Sequence, residues 1–210
     1  MMDPFLTHTG RAIVMAVANV NTDQIIPSRE MKRVSKKGLS DGLFANLRYT
    51  DSATGGRTPN PDFLLNQSSA HGASTLIAGP NFGCGSSREH AVWALKEYGF
   101  RVLIAPGFGS IFRDNCLTNG VLAITLDEGQ IAQLTAASHN TEVTANLEDM
   151  TLICGACTFP FALPEDKRHM LINGLSPIDV TLQDQDKIEG FRAADQAARS
   201  WLYHVKEAGA

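Results

Sequence analysis

The residues best suited to chemistry lie in one stretch, Gly79-Pro80-Asn81-Phe82-Gly83-Cys84-Gly85-Ser86-Ser87-Arg88-Glu89-His90, which runs from a predicted strand into a predicted helix. Glycines let the backbone approach a ligand and expose its N–H groups. A helix N-terminus adds positive potential, so the turn suits an anion. Arg88 contributes a planar guanidinium that can hold a carboxylate or phosphate through two parallel hydrogen bonds. Three common motifs are excluded. The dinucleotide fingerprint needs a third glycine where Arg88 stands, a Walker loop needs a Gly-Lys-Ser or Gly-Lys-Thr that is absent, and the esterase elbow needs glycine where Glu89 stands. A plainer reading also stands: Ser86-x-x-Glu89 fits a capping box, in which the two side chains satisfy backbone donors of the helix start.

The elements on either side must position this turn. Residues 73–78, 102–105 and 121–126 read as buried strands and residues 88–98 and 110–117 as helices, a β-α-β-α-β succession. In the first helix Ala91, Leu95 and Tyr98 recur at helical spacing, and Gly99 is the terminating residue. Upstream, residues 11–18 read as a buried strand that ends in the polar turn 19–23. The basic stretch 29–33, continued by Lys36-Lys37-Gly38, reads as an exposed loop, and 51–62, rich in Gly and Pro, as a second one. Downstream come a helix at 127–137, strands at 141–147 and 151–154, a helix after Pro164 and a terminal helix. In the last, Ile188, Phe191, Ala194, Ala198, Trp201 or Leu202, and Val205 form an apolar stripe opposed by Lys187, Arg192, Arg199 and Lys206, which reads as core packing.

Composition narrows the partners. Eighteen Lys and Arg against 22 Asp and Glu leave a net charge of −4, so no global positive field draws in nucleic acid or anionic membrane. A chain of 210 residues, 43% hydrophobic, can bury its own core. No apolar run approaches the roughly 18 to 20 residues of a spanning helix. The start, Met-Met-Asp-Pro-Phe, lacks the basic and apolar regions of a secretory signal, so the expectation is a cytoplasmic protein acting on small molecules or with other proteins. Four cysteines, at 84, 116, 154 and 157, are too few for a disulfide scaffold. Cys154-Gly155-Ala156-Cys157 is a C-x-x-C, but zinc needs two further ligands and none stands at a recognisable spacing, so no metal site is expected here. His90, in the first turn of its helix, reads as a packing residue.

Four segments together resemble a known family. Asn21-Thr22-Asp23-Gln24-Ile25-Ile26-Pro27, Pro59-Asn60-Pro61-Asp62-Phe63, the 81–91 stretch, and Phe108-Gly109-Ser110-Ile111-Phe112 through Asn115 to Asn119-Gly120 are similar, in family order, to the small subunit of 3-isopropylmalate dehydratase. That family is in turn similar to the swivelling domain of aconitase. The resemblance implies an α/β fold, a three-layer β/β/α swivelling domain like the fourth domain of aconitase. One such domain would span 1–210, with a helical extension over about 164–206. It implies a hydro-lyase of leucine biosynthesis that moves the hydroxyl of 2-isopropylmalate to the neighbouring carbon. In the family a large subunit carries the 4Fe-4S cluster, so this chain would bind no cofactor and be inactive alone. Ser86 matches the base that removes the carbon-bound proton, Ser87 and Arg88 match groups that hold substrate carboxylate, and Thr22 and Asp23 match substrate-side polar groups. Residues 21–23 are equally open to being a turn.

Two departures bear on substrate and descent. Where the family carries an aromatic followed by leucine, this chain reads Ser28-Arg29-Glu30-Met31-Lys32-Arg33, the segment that matches the substrate-recognition loop (Arg29, Glu30, Met31, Lys32 and Arg33). An acid there alters the surface offered to an isopropyl group. Ser176-Pro177-Ile178-Asp179 also differs from the family pattern. A hydratase of citramalate or another methylated malate is the close alternative, and a non-catalytic carboxylate-binding or assembly module is the alternative outside enzymes.

Overall fold

The computed structural model describes residues 2–31, 37–51, 56–139 and 141–203. In chain order the strands are β1 (Thr7–Gly10), β2 (Ala12–Met15), β3 (Tyr49–Asp51), β4 (Arg57–Pro59), β5 (Thr75–Ala78), β6 (Val102–Ala105), β7 (Leu122–Thr125), β8 (Val143–Asn146), β9 (Thr151–Cys154) and β10 (Cys157–Pro160). The helices are α1 (Thr22–Ile25), α2 (Ala45–Arg48), α3 (Glu89–Tyr98), α4 (Ser110–Thr118), α5 (Glu128–Ser138), α6 (Glu165–Asn173), α7 (Pro177–Leu182) and α8 (Gln185–Ala198).

Two sheets follow from two hydrophobic patterns. All four residues of β5 and of β6 are buried, the continuous apolar reading of strands covered on both faces, and β2-β5-β6-β7 is a parallel sheet. In β8 Val143 and Ala145 are buried while Thr144 and Asn146 are half-buried, and β1-β8-β9-β10 is antiparallel with one wetter face. Helix α3 packs on α4 and α4 on β7, whereas α5 reaches both β2 and the β9–β10 pair and so ties the sheets together. Two β layers and a helical layer result, the expected β/β/α architecture. The core runs through it from Phe5 to Leu171.

The central β-α-β-α-β reading matches the structure within a residue or two, and Gly99 ends α3 with φ at +121°. Several expectations change. The strand expected over 11–18 spans only Ala12–Met15, because Val17 already faces solvent, and β1 precedes it to pair with β8. The loop expected at 51–62 is instead entered by a hairpin, β3 on β4. The C-x-x-C is the tight turn of hairpin β9–β10, where Cys154 and Cys157 are paired residues and Gly155 takes φ of +57°. The terminal segment divides into α7 and α8, and its stripe is not core: α8 buries no residue, while Phe191 is 69% and Trp201 67% exposed. Val205, Lys206, Lys32 and Arg33 lie outside the described residues. Among the described residues no helix is long and apolar enough to cross a membrane.

Candidate functional site

Three parallel strands end side by side, and the loops leaving their carboxyl ends form the candidate site, where open parallel sheets generally bind ligands. Beyond β2, β5 and β6 the chain stays zipped by isolated bridges, Asn21 to Cys84 and Phe82 to Phe108. Val20 accepts from the Gly83 N–H at 2.7 Å, and Cys84 accepts from the Thr22 N–H at 3.0 Å. The glycines are required by this closeness. Gly83 has φ of +73°, and a Cβ on it would meet the Phe112 ring at 2.2 Å. A Cβ on Gly109 would lie 2.5 Å from the Gly83 carbonyl oxygen. Phe82 and Phe112 meet edge to face below the turn, with ring centroids 5.6 Å apart.

The turn delivers Ser86, Ser87 and Arg88 to the start of α3. Arg88 is the N-cap residue, and no side chain caps the helix. The capping box expected from Ser86 and Glu89 is therefore not formed: α3 begins at Glu89, too late for Ser86 to reach its third amide. The Glu89 carboxylate turns away to accept from Asn119 Nδ2 at 2.7 Å and Trp93 Nε1 at 3.3 Å. Both serines are exposed, and their hydroxyls are not consumed by a cap. The uncapped helix start retains its affinity for negative charge.

Thr22 and Asp23 belong to the short helix α1 rather than to an open turn. Asn21 caps that helix and exchanges bonds with Gln24 in a complete capping box. Thr22, buried, donates its Oγ1 hydrogen to the Ser86 carbonyl at 2.8 Å, which fixes the height of the serine turn. Asp23 forms an ion pair with Arg88 through Nη1, and Ser28 Oγ lies 3.1 Å from the same nitrogen. Among the described residues Nη1 is the guanidinium nitrogen engaged, so the fork keeps donors for an incoming carboxylate. The sequence reading gave Ser28 no site role; its place directly after Pro27, five residues beyond Asp23, was the available signal.

Of the segment matching the recognition loop, Ser28–Glu30 form a single 3-10 turn and Met31 packs on the core. Glu30 is not an unpaired acid facing substrate. Its side chain is only 12% exposed and pairs with Arg29 and with Arg57 of β4. Asn119 ends α4 and also bridges to Glu89 and Trp93 of α3. His90 packs against Trp93 with ring centroids 4.6 Å apart and the planes tilted by 52°.

The four cysteines do not converge. Cys84 sits in the turn, Cys116 inside α4, and Cys154 and Cys157 on the antiparallel sheet, all as free thiols. Burial pushes the Cys116 thiol well up and the Cys154 thiol up, the latter with help from Cys157. Among the described residues no three His, Cys, Asp or Glu side chains are placed to hold a metal. The described residues offer no ligand set for an iron–sulfur cluster.

Comparison with known proteins shows the family to which the chain belongs. The aconitase C-terminal domain pattern matches residues 2–129. A 3-isopropylmalate dehydratase small subunit from Cupriavidus necator is 47% identical over 207 residues, covering 96% of this chain and 99% of that protein. Another small subunit, from Teredinibacter turnerae, is 42% identical over 212 residues, covering 97% and 99%. This chain belongs to the 3-isopropylmalate dehydratase small-subunit family. A crystal structure of 3-isopropylmalate dehydratase from Methanocaldococcus jannaschii is similar in fold, with a TM-score of 0.63 at 22% identity, covering 89% of this chain and 99% of that one. The small-subunit name implies a larger partner.

Proposed function

We propose that this chain is the small subunit of a 3-isopropylmalate dehydratase, interconverting 2- and 3-isopropylmalate by dehydration and rehydration in leucine biosynthesis. One observation carries the reading: two uncapped serines and an aimed arginine share the start of one helix, at the carboxyl edge of a parallel sheet. In this proposal the chain is a single domain over 1–210, helical from about 164 and cytoplasmic. A large subunit supplies the cluster and closes over the site.

Within this chain the roles follow from chemistry. Arg88, oriented by Asp23 and Ser28, holds a substrate carboxylate, with Ser87 adding a hydrogen bond. Ser86 takes the carbon-bound proton. A serine hydroxyl is a very weak acid, so its alkoxide needs strong stabilisation, which the uncapped amides of α3, its dipole and the Arg88 charge supply in a site sealed from water. Thr22 sets the position of Ser86 through its carbonyl. The pairing of Glu30 with Arg57 and Arg29 removes the unpaired acid that would repel an isopropyl group.

The test is Ser86→Ala in the complex reconstituted anaerobically with the large subunit. Turnover of 2-isopropylmalate is expected to fall by about 10²- to 10⁴-fold with little change in KM. Wild-type turnover by the variant would remove Ser86 from the chemistry, whereas no turnover of either substrate by the wild-type complex would favour a carboxylate-binding module. Faster turnover of citramalate than of isopropylmalate by the wild type would move the protein to the sister hydratases.

A further inference from the structure

The sequence around Ser86 carries a local alternative that the fold withholds. Ser86-x-x-Glu89 is a complete capping-box pattern, in which the hydroxyl would bond the amide of residue 89 and the carboxylate would return to the amide of residue 86. Closed in that way, the box would consume the Ser86 hydroxyl and wind residues 87 and 88 into α3. Local preference favours closure, since a serine cap and an acid in the first turn both stabilise a helix start. In the structure the box is open: Arg88 is the N-cap residue, with φ of −119° and ψ of 104°, and no side chain caps the helix.

Tertiary bonds hold the two halves apart. Thr22 Oγ1 donates to the Ser86 carbonyl at 2.8 Å, the acceptor that a helix capped at Ser86 would offer to its own first turn. On the other half, Glu89 Oε1 accepts from Asn119 Nδ2 at 2.7 Å and from Trp93 Nε1 at 3.3 Å, and Trp93 Nε1 also donates to Asn119 Oδ1 at 3.1 Å. Asn119 is itself fixed. It ends α4, its Nδ2 donates to the Asn115 carbonyl at 2.8 Å, and its own carbonyl accepts from Lys96 Nζ of α3 at 2.7 Å. The donors on Glu89 are uncharged side chains, so they redirect the carboxylate without neutralising it.

We infer that Asn119 and Trp93 are positioning residues that hold Glu89 out of the serine turn, so that the Ser86 hydroxyl and the first amides of α3 stay open to substrate. The inference rests on the proposed function, in which those groups meet a dicarboxylate. A closed box keeps substrate out of the turn and acts as an internal competitor. A serine cap corresponds to roughly 2- to 30-fold in population, and apparent affinity falls with the fraction of chains left open. Competition of this kind raises KM and leaves kcat at saturation in place, because every chain that holds substrate is an open one.

Asn119→Ala, Glu89→Ala and the pair are compared in the complex with the large subunit, by kcat and KM for 2-isopropylmalate, with thermal melting of each isolated chain. Asn119→Ala deletes the side-chain bonds but keeps the carbonyl that holds Lys96, and is expected to raise KM roughly 3- to 30-fold with kcat within about twofold. Glu89→Ala is expected to be near wild type. In the Asn119→Ala background it should return KM to within about twofold of wild type, since no carboxylate is then left to withhold. Trp93→Phe keeps a ring but loses the Nε1 donor, so it should raise KM less and be rescued in the same way, and it carries the test should Asn119→Ala fail to fold. In the isolated chain the amides of residues 86 and 89 should exchange more slowly in Asn119→Ala than in the wild type, and the added Glu89→Ala should reverse this. A wild-type KM in Asn119→Ala and Trp93→Phe overturns the inference. So does a Glu89→Ala as damaging as Asn119→Ala with no recovery in the pair, which would make the network a strut between α3 and α4; the proposed function stands in either case. No turnover of 2-isopropylmalate by the wild-type chain with its large subunit overturns the proposed function, and this inference with it.

Discussion

Gly109→Ala probes the reasoning at a residue that offers substrate no side chain. Gly109 precedes α4, and its N–H donates to the Phe82 carbonyl at 2.9 Å. An added Cβ would stand 2.5 Å from the Gly83 oxygen and 3.1 Å from the Cys84 Cα. Both neighbours are backbone, so no side chain can swing aside. Reaching even a tight 3.0 to 3.4 Å contact moves the two loops apart by about 0.5 to 0.9 Å, and the displaced loop is the one that carries Ser86. Misplacing a reacting group by ~1 Å costs on the order of 10²-fold, so kcat with the large subunit is expected to fall about 10- to 100-fold. Overpacking costs ~1–3 kcal/mol, a melting temperature lower by roughly 3 to 10 °C for a chain of this size. Gly99→Ala separates the two effects. Its φ is +121° with nothing within 4 Å of the new Cβ, at the far end of α3. It should lower the melting temperature by about the same amount while leaving kcat alone. Wild-type kcat and an unchanged melting temperature in Gly109→Ala would refute the close-approach argument.

Three further outcomes are expected. Arg88→Lys loses the fork that Asp23 and Ser28 aim, so kcat/KM for 2-isopropylmalate should drop by at least tenfold; unaltered steady-state constants would dismiss the carboxylate clamp. Thr22→Val keeps the shape but deletes the hydroxyl bond to the Ser86 carbonyl in a buried position. It should cost about 1–3 kcal/mol in urea unfolding and lower kcat, and retention of both would show that the bond does not set the serine turn. Glu97 anchors residues 38–40, accepting from their backbone N–H groups. Burial opposes its ionisation, but the N–H groups of Gly38, Leu39 and Ser40, aided by Lys37, outweigh that and hold its pKa below the ordinary glutamate value. A lowered folded pKa gives stability that is complete above the unfolded pKa and lost as pH falls through the folded one. The melting-temperature gap between wild type and Glu97→Gln should therefore narrow from neutral pH to below the carboxylate range, whereas a constant gap would contradict the anchoring.

The amino-acid sequence by itself determined the central sheet and the location of the site. Continuous apolar runs such as Leu76-Ile77 and Val102-Leu103-Ile104 read as strands buried on both faces, and glycines followed by two serines and an arginine at a helix start read as an anion turn, because period and backbone freedom are local properties. Tertiary structure alone decided what each polar group touches. Ser86-x-x-Glu89 satisfies the local rule for a cap, yet Asn119, brought over on α4, takes the Glu89 carboxylate and the helix starts later. Glu30 looks like an unpaired acid in sequence and is neutralised by Arg57 across a hairpin whose strands are too short to announce themselves. The stripe of α8 has the period of a core helix, but periodicity shows only that a face is apolar; whether that face is covered depends on surfaces far away in sequence or on another chain.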